Sequence, residues 1–393
     1  MRCHPEGGVM RGKEAAHRPA LIALSTALVP IVGCALVLNP TPAKASHVSC
    51  GETITADTTL DGDLLDCPNN GVVIGADGVT LDLNGHRIDG DGTEFAGCAK
   101  NHICDVGVVI DKHNRVTIRD GSTREFGIGV LVSRADRNQV VRISSSKNGF
   151  FGAVVARTTR SVVRQSSLSH NIVPEGDGIG LFGSDHIQIL GNSIQDNPGP
   201  GIHVNDSTDN EIKRNRLGRN SPSMLIEGSA NEVRHNRVAR GGGILVGQGE
   251  DNVIVANRVS RADDALAIED GSGNLVARNL VTDARGDGIR LGIGAPSLGG
   301  GTNVVRRNVV KRSAEDGFRV YPKDGHSRLR RNVAIGGGGD GFEVQNRTTK
   351  LARNAAFGNR DLGIRAVPGA IDGGGNVARH NGDGRQCVHI ACH

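Results

Sequence analysis

The chain has 393 residues, with 57 Gly, three Met, one Tyr and no Trp, and a formal charge of +4. Most of that charge lies in the first 45 residues, where Arg2, Arg11, Lys13, Arg18 and Lys44 face only Glu6 and Glu14; the remainder carries 41 basic against 40 acidic residues. A near-neutral chain with no basic tail and almost no stacking aromatics argues against nucleic-acid binding, and so few Met argue against copper handling.

The first 45 residues read as an export signal. Arg11, Lys13 and Arg18 precede an apolar run from Leu21 to Leu38, and Ala43-Lys44-Ala45 forms an A-x-A cleavage site. Pro30 interrupts the run and no positive stop-transfer cluster follows, so no membrane span is expected. Ile31-Val32-Gly33-Cys34 offers a rival lipoprotein site, although the chain stays apolar past Cys34. The protein is expected to be secreted and extracellular. The predicted organisation is a signal peptide at 1–45, an N-terminal cap with the first coils at 46–105, a coiled body at 106–382 and a C-terminal cap at 383–393.

Six cysteines remain beyond the leader: Cys50, Cys67, Cys98, Cys104, Cys387 and Cys392. Six allow 15 connectivities. Proximity favours Cys50–Cys67, Cys98–Cys104 and Cys387–Cys392, read as staples on the two caps in an oxidising compartment. None has the double C-x-x-C spacing of a zinc site.

From about residue 170 a cassette of about 22 residues repeats. It appears as NEIKRNRL at 210–217, NEVRHNRV at 231–238, NVIVANRV at 252–259, NLVARNLV at 274–281 and NVVRRNVV at 303–310. Asn recurs in register at 192, 215, 236, 257, 279, 308, 332 and 354. Each cassette is followed by a short run such as Gly288-Ile289-Arg290-Leu291, where Ile289 and Leu291 point one way and Arg290 the other. That is period two, hence strand. Twenty-two residues cannot hold two helices, and Gly and Asn are too frequent for helix interiors. The expected fold is all-β: a parallel β-helix of two or three short strands per turn, with about twelve coils. The recurrent Asn is expected to take the left-handed turn between strands and to hydrogen-bond to its neighbours along the axis.

On the repeated (D)-G-I/F-x-V/L strand and N-x-V-x-x-N-x-V segment, about residues 70–390 resemble the right-handed parallel β-helix repeat proteins of the pectin-lyase-like superfamily. The resemblance implies the fold. It leaves activity open, because the superfamily includes polysaccharide lyases, hydrolases, epimerases, adhesins and non-catalytic members.

Aligned coils place Asp264, Asp287, Asp316 and Asp340 just before the strand Gly in consecutive turns, with Arg290 and Arg319 on the outward strand positions beside them. Tyr321, Lys323 and His326 follow in the next turn, and the longest insertion, 292–302, is expected to overhang the patch. Two readings stay open. In one, each Asp is a turn residue whose carboxylate accepts backbone N–H groups, and the arginines neutralise the stack. In the other, Asp264, Asp287 and Asp316 hold calcium or supply acid and base, while Arg290 and Arg319 hold an acidic sugar or act as base at its C5. Like charges this close should raise at least one carboxyl pKa.

Asp263-Asp264 followed by Gly286-Asp287-Gly288-Ile289-Arg290-Leu291-Gly292 also resembles the polygalacturonase-type glycoside hydrolase pattern. That resemblance implies catalytic roles for Asp263 and Asp264 in an inverting hydrolase. Asp287 stands where the family has His, and Gly241-Gly242-Gly243 where it has N-T-D. The histidines at 170, 186, 203, 235 and 326 fall in different columns, which predicts no histidine cluster. The functional expectation is an enzyme or binder acting on an acidic polysaccharide or cell-surface glycan, with Asp316, Tyr321, Lys323, His326 and Asp340 contacting it. The alternative is a non-catalytic extracellular scaffold or adhesin.

Overall fold

The computed structural model describes residues 45–93, 98, 103–293 and 301–393. The expected signal peptide at 1–45, apart from its last residue, and most of the 292–302 insertion lie outside them. One turn of the coil shows how the rest is built. Ile289–Leu291 is followed by Val304–Arg306 and Val309–Lys311, and Phe318–Val320 then stacks beside the first strand with Ile289 opposite Phe318 and Arg290 opposite Arg319. Most turns have three strands; in two early ones a single long strand, Thr117–Arg124 or Gln139–Ser146, spans both arms. One strand per turn forms a fifteen-stranded parallel sheet, here sheet 1; the others form the two arms of a twenty-seven-stranded parallel sheet, here sheet 2. No helix occurs among the described residues, so none is long and apolar enough to cross a membrane.

This is the expected parallel β-helix, with about fourteen turns rather than twelve. The undercount has a physical cause. Glu52–Ile54 and Val72–Ile74 pair in register with the later strands of sheet 1, yet these coils lack the Asn repeat by which turns are countable.

Period two decides what is buried. Ile289, Leu291, Phe318, Val320, Phe342 and Val344 all point inward and are almost fully buried. Phe318 and Phe342 stack with centroids 4.6 Å apart and planes 5° from parallel. The Gly before each strand permits close approach between coils: a Cβ on Gly317 would stand 2.6 Å from the Gly341 carbonyl oxygen. Only Gly lets the backbones meet there.

The Asn column works differently from expectation. Asn332 is not in the left-handed region; Arg331 before it is, at φ 56°, as are Arg307 and Arg353 before Asn308 and Asn354. Asn332 is buried. Its Oδ1 accepts from both the backbone N–H and the Nδ2 of Asn308, each at 3.0 Å, and its Nδ2 donates to the Val305 carbonyl at 2.9 Å and Asn354 Oδ1 at 3.2 Å. The expected bonding along the axis is therefore present. A second Asn ladder runs through Asn210, Asn231, Asn252, Asn274 and Asn303. Asn supplies donor and acceptor together, so turn backbone that strand pairing leaves unmet is satisfied in the interior.

The three disulfides pair as proximity favours: Cys50–Cys67, Cys98–Cys104 and Cys387–Cys392. The first and last are at the two ends. Cys98–Cys104 is not; it precedes Val106–Asp111, the third strand of sheet 1. There Ile103 packs on a second apolar cluster, outside the main core, formed by Val106, Val109, Leu131 and Val154.

Candidate functional site

The outward face of sheet 1 carries chemistry because period two sends alternate side chains away from the core. Asp264, Asp287, Asp316 and Asp340 stack as expected. Each Oδ1 accepts the backbone N–H of the equivalent residue one coil on: Asp287 to Asp264 at 3.1 Å, Asp316 to Asp287 at 3.1 Å, Asp340 to Asp316 at 2.7 Å and Leu362 to Asp340 at 2.8 Å. Each Oδ2 faces a guanidinium. Arg290 Nε lies 2.9 Å from Asp264, Arg319 lies 3.5 Å from both Asp287 and Asp316, and Arg365 Nε lies 2.6 Å from Asp340. One carboxylate oxygen therefore serves the coil and the other the electrostatics.

Arg290 and Arg319 differ. The Arg290 side chain is 14% exposed; beyond Asp264 it meets Glu269 at 3.0 Å and the Gly292 carbonyl at 3.2 Å. Arg319 is the hub of a cluster. It meets Glu343 at 2.7 Å and Glu315 at 3.2 Å, and lies over the Tyr321 ring at 5.5 Å.

Burial raises the Asp287 carboxyl to about 6, against the pull of Arg319. Burial also raises Asp316, and its hydrogen bond to Glu343 raises it further. Burial alone would raise Glu343 too, but hydrogen bonds from Gln345 and Asp316 and the charge of Arg319 hold it below the usual range. Burial and the bond they share thus push the two pKa values apart, an arrangement in which a carboxyl pair can supply an acid and a base.

The remaining expected residues are dispersed. Asp263 is 66% exposed, points off the column and pairs with Arg285 at 2.8 Å. Lys323 and His326 are exposed in the turn after Tyr321. Asp340 is held by Arg365 one coil beyond the cluster. Among the described residues, no group of three or more His, Cys, Asp or Glu side chains is arranged to hold a metal ion. Calcium on Asp264, Asp287 and Asp316 finds no such grouping, because their oxygens are turned to backbone N–H groups and arginines.

Sequence reasoning missed Glu269 and Glu315 as partners of this site, and it missed the two carboxylates that flank His203. His203 occupies the same outward column as Arg290, four turns earlier. Its Nδ1 is 3.2 Å from Asp177 Oδ2 and its Nε2 is 3.1 Å from Glu227 Oε2. The ring lies edge-on to Phe182 at 5.5 Å. A cleft of ≈ 410 Å³ opens there, walled in part by Phe151, Phe182, Pro174 and Pro200. The hydrogen bond to Asp177 is the main cause raising the His203 pKa, and burial raises Asp177. The signal was present: Asp177-Gly178-Ile179 repeats the strand cassette, and His203 follows Gly201-Ile202. Glu227 was harder to foresee because it ends a longer strand, Met224–Glu227, beyond the cassette.

The sequence matches the family described as right handed beta helix region over residues 77–238 and 177–332, together well over half of the chain. No curated protein sequence matches it. Among solved structures it is similar to a mutant DFA-IIIase from Arthrobacter chlorophenolicus A6 in complex with DFA-III, with 14% identity and a TM-score of 0.49 over 60% of this chain and 67% of that one. It is also similar to the periplasmic alginate epimerase AlgG, with 14% identity and a TM-score of 0.48 over 84% of this chain and 77% of that one. Neither likeness bears on the chemistry of this chain. By its matched residues and its coils, the chain belongs to the right-handed β-helix family.

Proposed function

We propose that this is an exported protein that binds and cleaves an acidic polysaccharide along the outward face of sheet 1, with Asp287, Asp316, Arg319 and Glu343 at the centre. The observation that carries the reading is the Asp316–Glu343 pair, in which burial and hydrogen bonding leave one carboxyl protonated and the other ionised beside a guanidinium. Asp316 gives its proton to the leaving oxygen as the glycosidic C–O bond breaks, and Glu343 takes a proton from the water that attacks the sugar carbon. Arg319 receives the sugar carboxylate. Its exposed partner Glu315 is the group that the incoming carboxylate replaces, because an exposed ion pair contributes only about 0–1 kcal/mol. Export is supported by the 1–45 leader and by three disulfides, which persist in oxidising compartments.

The ladder hydrogen bonds of Asp264, Asp287, Asp316 and Asp340 favour a second reading, in which this face is structural and the protein is a scaffold. Incubation with a panel of uronic-acid polymers separates the two. Reducing ends without unsaturated-uronate absorbance mean hydrolysis by the carboxyl pair. Absorbance means β-elimination and moves the base to another group. Silence in both from folded protein favours the scaffold.

A further inference from the structure

A different face carries a different kind of surface. In three consecutive turns, one arm of sheet 2 and its corner present Arg306 and Arg307, then Arg328, Arg330 and Arg331, then Lys350 and Arg353, all exposed. The cassettes that supply them, 303–312, 326–334 and 348–356, contain no Asp or Glu. The nearest carboxylate in register, Asp372 on the next turn, is already held by the backbone N–H groups of Gly374 and Ala391 and by the Asn376 side chain.

Several corner arginines elsewhere are paired across coils, as in Arg142 with Asp120, Arg160 with Asp136 and Arg312 with Asp283. Among the described residues none of these seven cations forms an ion pair. They are near enough to oppose one another: Arg330, Arg353 and Arg307 lower the pKa of Arg331. A stack of like charges with no counter-ion destabilises the coil that holds it.

The surface is also shaped. A groove of ≈ 390 Å³ runs between Arg328, Arg330, Lys350 and Arg353, with Leu329, Ala352 and Gly373 below. Gly373 keeps it open, since a Cβ there would stand 2.7 Å from Ala352 Cβ and 2.9 Å from Lys350 Cε. Adjacent coils lie about 4.8 Å apart, so the groove offers cations at intervals that suit a polymer with closely repeated negative groups.

We propose that this arm of sheet 2 is a docking surface for an anionic polysaccharide, separate from the sheet 1 cluster and independent of any turnover there. A sugar polymer fits better than a nucleic acid, because the groove offers no aromatic ring on which a base could stack; the only Tyr, Tyr321, belongs to sheet 1.

The test uses the full chain and two probes, dextran sulfate and polygalacturonate, titrated at 50 and 200 mM NaCl. Binding is expected at the lower salt and at least tenfold weaker at the higher, as screening requires. The triple variant Arg328→Gln, Arg330→Gln, Lys350→Gln is expected to bind at least tenfold more weakly at 50 mM NaCl, with circular dichroism and any uronate turnover unchanged. Arg319→Gln is expected to leave dextran sulfate binding intact. That contrast separates failure of this surface from failure of the sheet 1 reading. The proposal is overturned if the parent protein binds neither probe, or if the folded triple variant binds as tightly as the parent. Tighter binding to duplex DNA or to phosphatidylserine vesicles than to both polysaccharides would overturn the assigned occupant.

Discussion

Pro200 stacks one coil beyond Asp177, at the position from which every later member of the Asp column receives a backbone N–H. A Cβ on the preceding residue, Gly199, would stand 2.6 Å from Asp177 Oδ1; the corresponding distances are 2.5 Å at Gly286 for Asp264 and 2.4 Å at Gly339 for Asp316. The oxygen is in the ladder position, but Pro has no N–H to give, and Asp177 Oδ1 is buried with no partner. Asp177 is thereby released from the coil and turned to His203.

Pro200→Ala restores the donor. The expected outcome is a fall of about one unit in the Asp177 pKa, since a hydrogen bond to a charged group is worth about 1.5 kcal/mol or more. Carboxyl carbon titration by NMR reads it directly. An unchanged Asp177 pKa would mean that the missing N–H is not what distinguishes this residue.

Glu315 holds Arg319 from an exposed position, with 60% of its side chain open to solvent. Glu315→Gln frees that guanidinium corner without touching the ladder. Binding of a uronate oligosaccharide, measured by calorimetry, is expected to tighten about two- to fivefold, the range of an exposed ion pair. Weaker binding would show that Glu315 itself contacts the ligand.

Asp324 is a buried acid that sequence reasoning did not single out. Burial raises its carboxyl to about 7, with Ser327 and Asn303 offsetting part of the effect. A folded pKa above the unfolded value of about 3.9 means that the folded state binds the extra proton between those values. Its contribution to stability is therefore fully present below about pH 4, lost as pH rises toward 7 and constant above. Asp324→Asn is expected to stabilise the protein at pH 8 by on the order of 2–4 kcal/mol and to leave stability near pH 4 unchanged. Urea denaturation at the two pH values tests this; an equal gain at both would assign the effect to packing.

Arg331 and Asn332 divide two jobs that one residue was expected to do. Arg331→Gly relieves a left-handed backbone that costs a non-Gly residue about 1–2 kcal/mol, and it removes a cation from a repelling column. It is expected to leave the denaturation midpoint unchanged or to raise it. Asn332→Ala strips an acceptor from two buried donors and a donor from two acceptors, and is expected to cost about 3 kcal/mol or more. Similar losses from both substitutions would contradict the division.

That pair also shows what was legible in the sequence. The period, the strand face and the Asp and Asn columns could be read because a solenoid turns spacing along the chain into neighbours in space. Thus Asp287 beside Asp316 and Arg290 beside Arg319 needed only register. Backbone conformation does not follow from register, so the left-handed turn fell on the wrong residue. Contacts between different columns, such as His203 with Glu227 or Arg319 with Glu315, depend on how far each side chain reaches, and coil alignment does not contain that. The absence of an N–H at Pro200 was visible in the sequence but acquires meaning only once the ladder hydrogen bonds are seen.

The most direct measurement is turnover of uronic-acid polymers by the parent protein and by Asp316→Asn, across pH 4 to 9, with folding monitored by circular dichroism. The account predicts release of reducing ends by the parent. The rate should fall on the alkaline side as Asp316 loses its proton and on the acid side as Glu343 gains one. A loss of at least a hundredfold is expected in the folded variant, within the range of a general acid. Undiminished turnover by folded Asp316→Asn would contradict the central claim.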